Sequence, residues 1–175
     1  MTIKTIFLDR DGVINKEVNY LKRIEDFEFI YGIFEACRHF KKLDYQIIII
    51  TNQSGISRGY YTETDFENLT NWMLGKFKEN NINILDIFHC PHLPNANCNC
   101  RKPKPGMFFE AKKIYDIDMQ ESWLIGDKEY DVIAANSAGI SSTILVRSGH
   151  IIDEKKSNAE YIIDSINQVS KIINK

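Results

Sequence analysis

The chain has 175 residues, of which 43% are hydrophobic and 26% charged, with a net charge of −2, which fits one soluble domain with a single core. The near-neutral balance offers no basic footprint for nucleic acid, and the longest isoleucine run, Ile47–Ile50, is far below the roughly 18–20 apolar residues of a membrane span. The opening MTIKTIFLDRDG lacks the apolar stretch of a signal peptide, so a cytoplasmic protein with reduced cysteines is expected, and clustered cysteines point to metal before disulfides.

In chain order, the first element is a strand at Thr5–Leu8, short, β-branched and apolar on both faces. The polar-aromatic segment Val13–Tyr31 has no clean period and is read as a flap of about residues 13–31. Ile33, Phe34, Cys37 and Phe40 follow helical spacing, and Cys37 falls on the apolar face as a core residue. A second strand covers Gln46–Ile50. Thr62, with Asp65 three residues on, caps a helix that buries Phe66, Leu69, Met73 and Phe77. Ile84–Phe88 is a weaker strand. Pro105 suits the first turn of a helix carrying Met107, Phe108, Ala111 and Ile114. A strand at Trp123–Ile125, a helix at Glu129–Ala138 ended by Gly139, and a strand at Thr143–Val146 come next. Tyr161–Ile163 reads as an edge strand, and Asp164 starts a last helix burying Ile166, Val169 and Ile173. This alternation predicts an α/β fold with a parallel sheet, in which ligands bind beyond the carboxyl ends of the strands.

Three strands deliver reactive side chains to that edge. The first runs into Asp9-Arg10-Asp11-Gly12, the second into Thr51-Asn52-Gln53-Ser54-Gly55, and the Trp123 strand into Gly126-Asp127-Lys128-Glu129-Tyr130-Asp131. Asp9 and Asp11 are two apart and point the same way from an extended chain. Carboxylates that close repel unless a cation relieves them, and an oxygen-rich site with few protein ligands suits Mg²⁺. The metal set expected is Asp9, Asp11 and Asp127. The chemistry this suggests is phosphoryl transfer to a carboxylate. Asp9 attacks phosphorus, Asp11 moves the protons, and Thr51 with a lysine stabilises the charged oxygens. A signalling receiver domain, another small parallel α/β fold using Mg²⁺ and an aspartate, is the alternative from a different class.

Cys90, His92, Cys98 and Cys100 supply three thiolates and one imidazole within eleven residues. That donor set closes a tetrahedral Zn²⁺ site with no open position, so a structural zinc is expected in a loop of about residues 90–103. Arg101-Lys102-Pro103 follows directly, so the knot would fix where Arg101 and Lys102 point, while Lys104 reads as part of a solvated basic turn. His39 and His150 read as surface residues, and His89 as a neighbour of the site.

As a set, these motifs resemble the haloacid dehalogenase superfamily of phosphatases, with Lys102 similar to its third motif and Gly126–Asp131 to its fourth. The resemblance implies a Rossmann-like parallel sheet, helices on both faces, and the Asp9 strand central. It also implies a single domain, 1–175, without the large cap domain of bigger relatives. Within the superfamily, Cys-x-His…Cys-x-Cys-Arg-Lys-Pro is similar to both the heptose bisphosphate phosphatases and the histidinol-phosphate phosphatases. The continuation Thr51-Asn52-Gln53-Ser54-Gly55-Ile56-Ser57-Arg58-Gly59 is similar to the heptose group. That likeness implies catalytic Asp9, Asp11, Thr51 and Lys102. It implies substrate contacts at Glu17, Val18, Asn19, Tyr20, Thr51, Asn52, Gln53, Ser54, Arg101, Lys102 and Lys128, with Arg101 on the phosphate that is not cut. The partner implied is a small phosphorylated sugar met by a monomer, with no nucleic acid or membrane.

Overall fold

The computed structural model describes residues 2–174. Six strands form one all-parallel sheet: β1 (Thr5–Leu8), β2 (Gln46–Asn52), β3 (Asp86–Cys90), β4 (Trp123–Gly126), β5 (Ser142–Val146) and β6 (Tyr161–Ile163), in the order β3-β2-β1-β4-β5-β6. β1 therefore lies inside the sheet, paired with β2 through Leu8↔Ile49 and with β4 through Leu8↔Ile125. Four helices connect the strands: α1 (Ile33–Lys42), α2 (Glu63–Glu79), α3 (Gly106–Tyr115) and α4 (Glu129–Ser137).

The apolar strand residues alternate between two cores, which is why their runs are unbroken in the sequence. Ile6, Leu8, Ile47, Ile49 and Ile125 face α1 and α2, with Cys37, Phe40, Met73 and Phe77. Phe7, Ile48, Ile50 and Leu124 face α3 and α4, with Met107, Phe108, Ala134 and Ala135. The Thr62–Asp65 capping box forms, and Gly139 takes a φ of 92° directly after α4.

Several boundaries differ from the sequence expectation. β3 lies at Asp86–Cys90 rather than 84–88, because β2 continues through Thr51 and Asn52 and pairs them with His89 and Cys90. Pro105 precedes α3 as its cap residue instead of sitting in the first turn. The expected last helix is a short 3₁₀ segment, Ile166–Lys171, that still buries Ile166, Val169 and Ile173. Asp164 does not cap it as a start residue would, since Arg147 and Gln168 hold its carboxylate. His39 is half-buried rather than a free surface group, and its Nε2 lies 2.6 Å from the Ile173 carbonyl oxygen.

The 13–31 segment is anchored along most of its length. Val13, Ile14, Leu21, Phe27 and Ile30 join the first core, and Asn15 bridges to Phe29. Phe27 and Phe29 pack edge-on or stacked against Trp72 of α2. Glu17, Val18, Asn19, Tyr20 and Leu21 are the residues of this segment that border a cleft at the carboxyl edge of the sheet. Among the described residues no helix is long and apolar enough to cross a membrane.

Candidate active site

A cleft of ≈380 Å³ opens at the carboxyl edge of β1, β2 and β4, a size suited to a small molecule. Its floor is ionic. Lys102 is 2% exposed, and its Nζ donates to the Ile50 carbonyl (3.0 Å), to Asp9 Oδ1 (3.1 Å) and to Asp131 Oδ1 (2.7 Å). Burial opposes its charge, but Asp131 and Asp9 outweigh burial and hold the ammonium firmly protonated. Its backbone is fixed as well. Lys102 N donates to Asn52 Oδ1 and Asn52 Nδ2 donates to the Lys102 carbonyl, both at 3.1 Å. Asn52 thus acts as a clasp between β2 and the cysteine–histidine loop.

Asp131, in the first turn of α4, does two jobs. Oδ2 accepts from the backbone N–H groups of Asp127 and Lys128, and Oδ1 takes Lys102. Gly126 makes this approach possible, because a Cβ there would sit 2.5 Å from the Asp131 carboxylate. One carboxylate oxygen from each of Asp9, Asp127 and Asp131 lies within 4.8 Å of the other two. Burial, relieved by Lys102 but reinforced by Asp131, Asp127 and Asp11, pushes the Asp9 carboxyl well above its usual range. Asp127 is fully buried, and its Oδ1 has no hydrogen-bond partner. Three converging carboxylates with one bare buried oxygen form an arrangement that a hard divalent cation would satisfy.

The Asp11 carboxylate faces elsewhere. It takes a forked bond from Arg10 at 2.9–3.2 Å, one from Asn15 at 3.0 Å and one from Gln53 at 3.1 Å. Burial pushes its carboxyl up, but the Arg10 charge and these donors together hold it below the usual range, ionised at rest. Gln53 Nε2 also donates to Thr51 Oγ1 at 2.8 Å, and its Oε1 accepts from Tyr61 at 2.5 Å. Thr51 is 1% exposed and borders the cleft beside Asp9.

The rim is mixed. Glu17, Val18, Asn19 and Tyr20 line one side, Gln53 and Ser54 another, and Arg101 and Lys128 the remainder. Every residue expected to touch substrate therefore borders this one cleft. Among the described residues neither Arg101 nor Lys128 forms an ion pair with a carboxylate, although the Lys128 charge is felt by Glu17 across the rim. Arg58 forms no such pair either, and its guanidinium lies 5.7 Å over the Tyr20 ring.

Beside the cleft, Cys90, His92, Cys98 and Cys100 bring one donor atom each within 4.8 Å of the others. Cys90 Sγ is 3.7 Å from Cys98 Sγ, 3.5 Å from His92 Nδ1 and 2.9 Å from Cys100 Sγ, while His92 Nδ1 to Cys100 Sγ is 3.2 Å, so two of the pairs lie closer than a bound ion would set them. A tetrahedral ion with bonds of about 2.3 Å to sulfur sets such donors roughly 3.8 Å apart. All four cysteines are free of disulfides. The loop closes on itself through Arg101 Nη1 to the His92 carbonyl and Lys104 Nζ to the Cys98 carbonyl. Lys104 is thus tied into the loop rather than merely solvated.

Sequence reasoning missed three participants. Arg10 is 2% exposed and carries Asp11, and Asp131 completes the carboxylate cluster. His150, expected at the surface, borders the cleft with Nδ1 2.6 Å from Asp127 Oδ2. His89, on β3, is bonded to Glu63 and packed on Phe66 of α2, and does not border the cleft.

A family model described as HAD-hydrolase-like matches residues 99–169. A D-glycero-alpha-D-manno-heptose-1,7-bisphosphate 7-phosphatase from Photorhabdus laumondii is 48% identical over 98% of this chain and 97% of its own length. One of the same name from Campylobacter jejuni is 51% identical over 89% and 87%. A D-glycero-beta-D-manno-heptose-1,7-bisphosphate 7-phosphatase from Escherichia coli O6:H1 is 40% identical over 99% and 96%. Among solved structures, a D,D-heptose 1,7-bisphosphate phosphatase from B. bronchiseptica, complexed with magnesium and phosphate, superposes with a TM-score of 0.86 at 28% identity. It covers 97% of each chain.

Proposed function

The chain belongs to the haloacid dehalogenase-like heptose-1,7-bisphosphate 7-phosphatases, and on that footing we propose that it hydrolyses the C7 phosphate of D-glycero-D-manno-heptose 1,7-bisphosphate. The observation that carries the reading is the cleft itself. A buried Asp9 touches Lys102, Asp11 stands two residues on, and cations that form no ion pair among the described residues line the rim. The relatives at 48% and 51% identity are named for the α anomer, so α is the anomer we assign.

In the first step Asp9 attacks phosphorus as the bond to the C7 oxygen breaks, giving an aspartyl phosphate. The departing alkoxide takes a proton from Asp11. Because Arg10 and its neighbours hold Asp11 ionised at rest, it takes up that proton from solvent as the phosphate dianion arrives beside it. In the second step water attacks phosphorus, the bond to Asp9 breaks, and Asp11 takes the proton of the water. Lys102 and Thr51 stabilise the charged oxygens. Mg²⁺ fits the Asp9–Asp127–Asp131 cluster, with its bare Asp127 Oδ1, and would supply charge neutralisation there. Asp11 was grouped with the metal ligands from sequence. Its carboxylate is held by Arg10, Asn15 and Gln53 and does not converge with those of Asp9, Asp127 and Asp131, so we assign that side chain to proton transfer and the third place at the cation to Asp131.

The C1 phosphate has to be held without being cut. Arg101, supported by Arg58 and Lys128, is the group we assign to it, since a guanidinium fork grips a phosphate in two places. Glu17, Val18, Asn19 and Tyr20 bracket the sugar from the opposite side. We assign Zn²⁺ to Cys90, His92, Cys98 and Cys100, where it would pin the loop that carries Arg101 and Lys102. Elemental analysis should find about one zinc per chain. Stripping it should lower turnover by ~10–100-fold with Mg²⁺ in excess. Zinc-free protein of full activity would remove this assignment.

These relatives give the histidinol-phosphate alternative no support, and the receiver alternative has none either. A substrate panel tests the choice. With Mg²⁺ present, kcat/KM on the heptose bisphosphate should exceed that on histidinol phosphate by at least ~10²-fold, the worth of one charge-assisted phosphate grip of about 3 kcal/mol. The reverse order would overturn the assignment.

A further inference from the structure

We propose that His150 is a positioning residue for the metal: its ring clamps one oxygen of Asp127 and so presents the other to the cation. The inference rests on reading the carboxylate cluster as a Mg²⁺ site and does not depend on which sugar is the substrate.

Asp127 lies at the carboxyl end of β4, fully buried. Its two oxygens have opposite surroundings. Oδ2 accepts twice from one residue, from the His150 backbone N–H at 3.0 Å and from the ring at Nδ1, 2.6 Å away. Oδ1 accepts from nothing, although it too is out of contact with solvent. A carboxylate that ligates a cation is deprotonated and can only accept, so with the ion bound Nδ1 would be the donor of that bond. Two donors on Oδ2 and none on Oδ1 fix the rotation of the carboxylate about its own axis. They leave the electron-rich, unspent oxygen for the cation.

The backbone around Asp127 is built to admit this contact. A Cβ on Gly12 would lie 2.3 Å from Asp127 Oδ2, and one on Gly149 would lie 2.0 Å from the same atom. Two glycines therefore flank the oxygen that His150 holds. The loop after β5 that delivers His150 is tied to the loop after β1, because Ser148 Oγ donates to the Gly12 carbonyl at 2.8 Å. This tie connects the strand that carries Asp9 to the residue that orients Asp127. Asp131, the remaining carboxylate of the cluster, is oriented independently by Lys102 and two backbone N–H groups. Each of these two buried carboxylates thus has its own dedicated donors, and His150 is the side chain that serves Asp127.

Partners of this kind, behind a metal-binding side chain, typically govern affinity by 10–100-fold. Mg²⁺ binding to the purified full-length chain, followed by titration calorimetry without substrate, reads the effect directly. His150→Ala should raise the Mg²⁺ dissociation constant by at least ~10-fold, even though the backbone N–H contact survives. His150→Asn, whose amide nitrogen can take the place of Nδ1, should recover most of the loss. In turnover, His150→Ala should need proportionately more Mg²⁺ and approach wild-type kcat once the ion saturates. If the alanine chain does not fold, His150→Phe keeps the ring volume without the donor and carries the same comparison. A dissociation constant within threefold of wild type in the donor-less variant would overturn the role of His150. A loss that asparagine leaves unrestored would do the same. Wild-type protein that binds no Mg²⁺ would overturn the metal-site reading and this proposal together.

Discussion

Asp9→Asn abolishes phosphate release, lowering kcat by about 10⁴-fold or more, as expected when the nucleophile of a covalent mechanism is removed. The fold should survive, and the reason is specific to this site. Asp9 is buried beside Asp127 and Asp131, and burial with these neighbours pushes its carboxyl well above the usual range despite Lys102. Its negative charge is thus a burden on the metal-free protein. Asparagine removes that charge and leaves Lys102 its contact with Asp131 at 2.7 Å. In a chelator, the variant should melt no lower than wild type. In Mg²⁺ the order should reverse, because only the intact cluster gains the stabilisation that binding confers. Turnover within tenfold of wild type would exclude Asp9 as the nucleophile.

Lys102→Met should be the most damaging single change to stability. Lys102 sits between Asp9 and Asp131, and all three are largely buried. Removing one partner from such a group leaves uncompensated charge, at a cost of about 3–5 kcal/mol. For a domain of this size, that corresponds to a fall of roughly 10 °C in Tm. The variant should also lose ~10²–10³-fold in kcat, since the ammonium that stabilises the transferring oxygens is gone. Asp131 would lose its outward restraint and keep only the backbone donors of Asp127 and Lys128. Saturating Mg²⁺ should restore part of the stability and little of the rate. A methionine variant with wild-type melting and turnover would contradict the arrangement of the cleft floor.

The elements most legible in the sequence were those with a strict period. Runs such as Thr5–Leu8 and Trp123–Ile125 are apolar on both faces because both sheet faces are covered, and they fall where strands form. The ends of those strands could be read for the same reason, since the apolar run stops where the reactive residues begin. β3 was displaced by two residues because pairing with Thr51 and Asn52 extended it past its apolar run, and a hydrophobic pattern is silent about such polar ladder positions. The 13–31 segment was opaque, for its buried residues have neither period. Val13, Ile14, Leu21, Phe27 and Ile30 are placed by packing across elements.

Within the site, Asp9 and Thr51 were legible because strand ends and motif likeness coincide there, and Lys102 because it directly follows the cysteine–histidine loop and resembles the motif lysine. His150 was not. It lies 23 residues from Asp127 in a loop of ordinary composition. Its one sequence-level signal is topological. β5 lies next to β4, so the loop leaving β5 must arrive at the same edge as Asp127. Asp131 was visible as a motif member but not as a member of the carboxylate cluster. Its closeness to Asp9 depends on the first turn of α4 folding back against Gly126. Arg10 was hidden by its type, since a buried arginine is uncommon and nothing local shows that Asp11 and Phe66 enclose it.

The regiochemistry of the reaction tests the central claim most directly. Phosphorus NMR of α-heptose 1,7-bisphosphate turned over by the wild-type protein in Mg²⁺ distinguishes the two phosphates by position. The signal of the C7 ester should disappear as inorganic phosphate grows in equal amount, with the C1 signal retained. Loss of the C1 phosphate, or release of both at comparable rates, would contradict the assignment of Asp9 to C7 and of Arg101 to C1.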